Sequence, residues 1–209
     1  MTRWSRRHLL GAMALAPLGM AAQTERKGKP LDLADYQPKS MLSVPEHHVE
    51  KARFPVIDIH THLCWSKEET NRYLASPAEL LAVMDRRNLR TMVNLTGGRG
   101  KGLREAVEKF DKAHPGRFLT FTEPWWTRAE EPGYPKLQAD LIQQAVRDGA
   151  RGVKVLKTLG LFLRGKDNKL VRVDDPRFDP MWETCAGLNI PVAIHVSDPV
   201  AFFEPIDRF

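Results

Sequence analysis

From Phe54 onward, apolar and polar residues alternate between two periods. Short β-rich runs recur at Val56-Ile57-Asp58-Ile59-His60, Thr91-Met92-Val93-Asn94-Leu95, Phe118-Leu119-Thr120-Phe121, Gly152-Val153-Lys154-Val155-Leu156 and Pro191-Val192-Ala193-Ile194-His195. Segments of helical period separate them. Ser76-Pro77-Ala78-Glu79 reads as a helix start, with serine as cap, proline in the first turn and glutamate three residues on. Leu80, Leu81, Val83 and Met84 supply its apolar face. A second helix is predicted over about 102–113, before Pro115-Gly116. A third, over 135–148, has Leu137, Leu141, Ile142, Ala145 and Val146 on one side. A fourth opens at Asp179-Pro180 and runs to Gly187. Strands roughly 27–38 residues apart with amphipathic helices between them predict βαβ units and a parallel sheet. A doubly wound sheet is complete with five strands, whereas an eight-stranded (β/α) barrel needs about 250 residues. No GxGxxG follows the first strand, which counts against a dinucleotide fold.

The first 53 residues lack this rhythm. Ser5-Arg6-Arg7-His8-Leu9-Leu10, an apolar stretch to Ala22 and small residues near 19–22 form the parts of an export signal of the twin-arginine kind. Pro17 interrupts the stretch, which is too short for a membrane span, so no stable anchor is expected after cleavage. The expected location is periplasmic or extracellular. Residues 23–53, polar and holding Pro30, Pro38 and Pro45, read as a linker or arm, and 54–209 as the folded domain. His47 and His48 fall in the arm without a partner at ligand spacing.

Composition narrows the class. With 42% hydrophobic and 28% charged residues the chain is globular in character. Half of the net charge of +6 sits on Arg3, Arg6 and Arg7, and the remaining basic residues mix with acids, which argues against nucleic acid as a partner. The expected partner is a small-molecule substrate, and an oligomer is compatible with the sequence. Cys64 and Cys185 form no CxxC and are expected as buried free thiols.

Candidate chemistry collects at strand ends. His60 and His62 stand two apart where the first strand closes, so their imidazoles leave one face together and can reach one metal ion. Asp58 shares their parity, one layer deeper. His195 ends the fifth strand after an apolar run, where barrel enzymes place catalytic groups. Lys154 and Lys157 are an odd number of residues apart, so only one can enter a barrel. Gly97-Gly98-Arg99-Gly100-Lys101-Gly102 is a flexible loop or an anion cradle at the rim, but lacks the P-loop order. Trp125 and Trp126 follow the third strand as pocket lining or rim packing.

The segments 54–62, 149–155 and 190–195 together resemble the amidohydrolase superfamily, in particular its amidohydrolase-related (type 2) branch, which also contains aromatic-acid decarboxylases. The resemblance implies a (β/α)8 TIM barrel (α/β class), here truncated after about five β/α units, and a divalent metal, commonly zinc. It implies His60, His62 and His195 as ligands, and at Lys154 the position of a lysine that bridges two metals in binuclear relatives. Arg99, Trp125 and Trp126 are candidates for substrate contact. The expected reaction is hydrolysis, with metal-activated water attacking an amide, lactone or ester. A carboxy-lyase on the same fold is the alternative, and a non-catalytic exported remnant or binding protein is the alternative of another class. The family's sixth-strand histidine and eighth-strand aspartate find no counterpart before Phe209.

Overall fold

The computed structural model describes residues 43–66, 70–195 and 198–200. The leader read at 1–22 and most of the arm at 23–53 lie outside the described residues. The chain divides into a unit ending at His47 and a second unit from His48 to Phe209. Residues 43–47 are exposed and without regular structure. Among the described residues, no helix is long and apolar enough to cross a membrane.

The second unit holds seven strands and four α-helices among its described residues: β1 Val56–Thr61, β2 Cys64–Ser66, β3 Asn71–Tyr73, α1 Pro77–Arg87, β4 Leu89–Asn94, α2 Gly100–Ala106, β5 Phe118–Thr120, α3 Tyr134–Arg147, β6 Val153–Val155, α4 Asp179–Gly187 and β7 Val192–Ile194. The capping box forms as the sequence requires. Ser76 Oγ accepts from the Glu79 N–H at 3.3 Å, and the Glu79 carboxylate accepts from the Ser76 N–H at 2.8 Å. Asn88 closes α1 in the left-handed conformation (φ 59°), which asparagine tolerates, and β4 begins at the next residue. The helix expected over 102–113 starts earlier, at Gly100, and continues past Ala106 as wider π-helical turns over Val107–Lys112. The hairpin β2–β3 has no signal in the periodicity. Its strands are three residues each, too short for alternation to register, and pair antiparallel with Cys64 opposite Tyr73.

β1, β4 and β5 pair in parallel in that order, as do β6 and β7. The two groups join where Thr122 bridges Val153 in parallel, with the Thr122 N–H donating to Gly152 O and the Lys154 N–H to Thr122 O. The result is one parallel succession, β1-β4-β5-β6-β7, in which each strand lies beside its predecessor in sequence. A doubly wound sheet reverses direction at a switch point; this one never does.

Two faces follow from the pleat. On the outer face, Met92 and Phe118 pack with Met84 and Phe110, while Val153 and Val155 pack with Ile142, Phe178, Met181 and Cys185. On the inner face, Val93, Leu95 and Phe121 cluster with the partly buried Leu119 and Ala193. Both cysteines are buried and free. Glycine lets layers touch: a Cβ on Gly97 would overlap Thr120 Cγ2 and lie 2.5 Å from Phe121 O, and one on Gly152 would sit 2.5 Å from the Phe121 ring.

Candidate active site at the carboxyl ends of the strands

All five parallel strands deliver their carboxyl ends to the same edge of the sheet. β1 reaches it irregularly. Asp58 is level with Met92 and Thr61 with Asn94, so three residues of β1 span two of β4. Such a bulge re-aims side chains. It corrects the expectation that Asp58 shares a face with the histidines. Asp58 falls level with outward-packed Met92, and its carboxylate accepts the backbone N–H of His60 at 3.0 Å. His60, immediately before Thr61, is set level with Val93 of the inner face.

The chain beyond β1 is anchored by Asn94, which is fully buried. Its side-chain oxygen accepts the Leu63 N–H at 3.0 Å and the Thr96 N–H at 3.3 Å, and its amide lies 3.2 Å from Cys64 Sγ. This anchor brings His62 back beside His60, with ring centroids 5.3 Å apart and edge to face. Trp65 stacks on the other side of His62 at 5.4 Å, nearly parallel. Burial holds the His62 imidazole below its usual pKa, and the charges of His60 and Lys154 act in the same direction. The ring therefore favours its neutral form, the form that ligates metals. Its Nδ1 is buried and has no hydrogen-bond partner among the described residues. An orphaned buried nitrogen beside a second imidazole fits a divalent cation. Among the described residues, no group of three His, Cys, Asp or Glu side chains able to hold an ion is assembled. What is brought together is the pair.

The two lysines part as odd spacing requires. Lys154 is level with Ala193 of the inner face and is only 2% exposed, whereas Lys157 is half exposed at 46%. Burial lowers the pKa of Lys154, and the nearby Glu123 pulls the other way. His195 follows β7 with its N–H bonded to Val155 O at 2.9 Å, at the parity of Ala193 and hence toward the inner face. Its Nε2 lies 3.4 Å from Asp198 Oδ1.

Periodicity and motif do not single out Glu123. It stands two residues beyond Phe121, and that shared parity past a predicted strand end was the available signal. Its N–H donates to Gly98 O at 3.2 Å, and Thr122 Oγ1 reaches the same carbonyl at 2.9 Å. Burial pushes its carboxyl up to about 7, against the opposing pull of Arg99 and Lys154. A carboxyl that exchanges its proton near neutrality, beside two cations, is suited to general acid–base chemistry.

Around it, Arg99 donates to Pro124 O at 3.3 Å and lies over the Trp125 ring at 4.9 Å; Arg128 also lies over that ring, at 5.0 Å. Trp126 is placed elsewhere, buried in the core and edge-on to Phe178. The glycine loop is tied to its neighbours. Gly98 has φ 67°, and a Cβ there would meet Ser66 O at 2.5 Å, so glycine answers a close backbone approach.

The family model described as Amidohydrolase (Amidohydro_2) matches residues 57–209. No curated protein matches the chain significantly. Among solved structures, the crystal structure of a probable 2-pyrone-4,6-dicarboxylic acid hydrolase from Acinetobacter baumannii with citric acid bound is similar, at 14% identity and a TM-score of 0.43. The match covers 68% of this chain and 50% of that one, so the chain spans about half the length of that neighbour. With the matched region running from β1 through the last described strand, the chain belongs to the amidohydrolase family.

Proposed function

We propose that this chain carries a metal-assisted hydrolase site acting on an amide, lactone or ester. The observation that carries the reading is the His60–His62 pair, with the buried, unpartnered Nδ1 of His62, at the carboxyl edge of a sequentially ordered parallel sheet. His60 and His62 would hold a divalent ion, zinc for preference, with His195 as a third donor. When bound, such an ion supplies Lewis-acid polarisation and a lowered water pKa.

The chain's own residues do the rest. Burial keeps His62 neutral and hence a donor. Glu123 accepts a proton from the attacking water and returns it to the leaving group, a role suited to a carboxyl at about 7. Lys154, on the inner face, offers its ammonium to developing negative charge on the substrate. Arg99 and Trp125 border this space and would orient the substrate. With the leader expected from the sequence, the work would be done outside the cytoplasm.

The test is a panel of amides, lactones and esters offered to the full-length protein loaded with Zn²⁺, with CO₂ release followed in parallel. Hydrolysis of one class that disappears in Glu123→Gln supports the reading. CO₂ release without hydrolysis assigns the site to a carboxy-lyase instead.

A further inference from the structure

A second charged cluster lies on the loops beyond β6 and β7, and the chemistry above does not use it. Lys157 donates to Asp198 Oδ2 at 2.9 Å and to Oδ1 at 3.2 Å. Asp198 is well shielded, with its side chain 14% exposed, and its Oδ1 also faces His195 Nε2 at 3.4 Å. One carboxylate thus receives a lysine from the β6 loop and an imidazole from the end of β7. As a bare surface ion pair, Lys157–Asp198 contributes little to stability. Its position gives it another use. Lys157 takes both oxygens and so fixes the plane of the carboxylate, which leaves Oδ1 one direction in which to accept. An imidazole nitrogen facing a carboxylate carries the proton, so the lone pair of a neutral ring then resides on the other nitrogen.

We propose that Lys157 and Asp198 form a brace that sets the ring of His195 and holds its proton on Nε2. Asp198 and Lys157 are positioning residues; neither touches substrate. The inference rests on the reading of His195 as a ligand, and it gives a role to the lysine that β6 does not send to the inner face. It also explains why two lysines three residues apart both belong at this strand end. One serves the inner face directly, and the other serves it through a carboxylate and a histidine.

The experiment uses the full chain, metal-free and ¹⁵N-labelled, with imidazole ¹H–¹⁵N spectra recorded at low temperature. An Nε2–H cross-peak assigned to His195 by its loss in His195→Gln is expected in the wild type. It should vanish through solvent exchange in Asp198→Ala and exchange at least about tenfold faster in Lys157→Met. Asp198→Asn, whose amide oxygen still accepts, should restore it. Co²⁺ titration of the same proteins should show affinity falling about 10–100-fold in Asp198→Ala, with Lys157→Arg close to wild type. If Asp198→Ala fails to fold, Lys157→Met and Asp198→Asn carry the test. Unchanged Nε2–H exchange in Asp198→Ala or in Lys157→Met overturns the brace. A wild type that shows the protected proton but takes up no Co²⁺ upholds the brace and removes the cation reading instead.

Discussion

Replacing Glu123 by glutamine keeps the shape of the side chain and removes its titration. In the folded chain the carboxyl is pushed from 4.5 to about 7 because burial outweighs the attraction of Arg99 and Lys154. Between those two values the native protein holds a proton that the unfolded chain has released. Stability therefore falls as pH rises through that window. Glutamine has no such term, so the variant should be the more stable protein, increasingly so with pH. Each tenfold change in proton binding is worth about 1.4 kcal/mol, which makes the gap about 1 kcal/mol at pH 5 and about 3 kcal/mol at pH 8. For a chain of this size, that is roughly a 2–4 °C rise in Tm at pH 5 and about 6–12 °C at pH 8. Urea unfolding of both proteins across pH 5–8 measures the gap. If Glu123 is the proton carrier, the same substitution lowers kcat by about 10²-fold or more, so the variant gains stability and loses activity. A gap that does not change with pH, or a wild type more stable at pH 8, would refute the reasoning.

Other substitutions test the scaffold that presents the histidines. Asn94→Ala leaves the buried Leu63 N–H without its acceptor and should cost about 1–3 kcal/mol, read as a lower urea midpoint; the His62 imidazole signals should broaden as the loop beyond β1 loosens. Gly97→Ala drives a methyl into Thr120 and the Phe121 carbonyl, so it should destabilise by about 1–3 kcal/mol or more. Gly116→Ala, where no atom lies within 4 Å but φ is 78°, should cost less, about 1 kcal/mol; thermal unfolding of the pair separates steric overlap from backbone strain.

Much of this architecture could be read from residues, because each element declares itself locally. The capping box of α1, the apolar stripe of α3 and the five β-rich runs all appear where their periods place them. What the periods could not reveal depends on contacts between elements. The bulge in β1 exists only in its register with β4, so simple alternation wrongly put Asp58 beneath His60. The β2–β3 hairpin is too short for alternation to register. Nothing in the local pattern distinguishes Glu123 from other loop carboxylates, and its burial beside Arg99 and Lys154 is what marks it out. The two lysines show the opposite case. Their odd spacing already required opposite fates, and the register with Ala193 shows which one faces inward. Trp125 and Trp126 diverge for a similar reason, since adjacent residues cannot both enter one core.

The most direct measurement is the metal content of the full-length protein after loading with Zn²⁺ and exhaustive dialysis, compared with that of a His60→Ala, His62→Ala double variant. Bound zinc in the wild type and its loss from the double variant are the predicted result. Full zinc retention by the double variant would contradict the placement of the site at the end of β1.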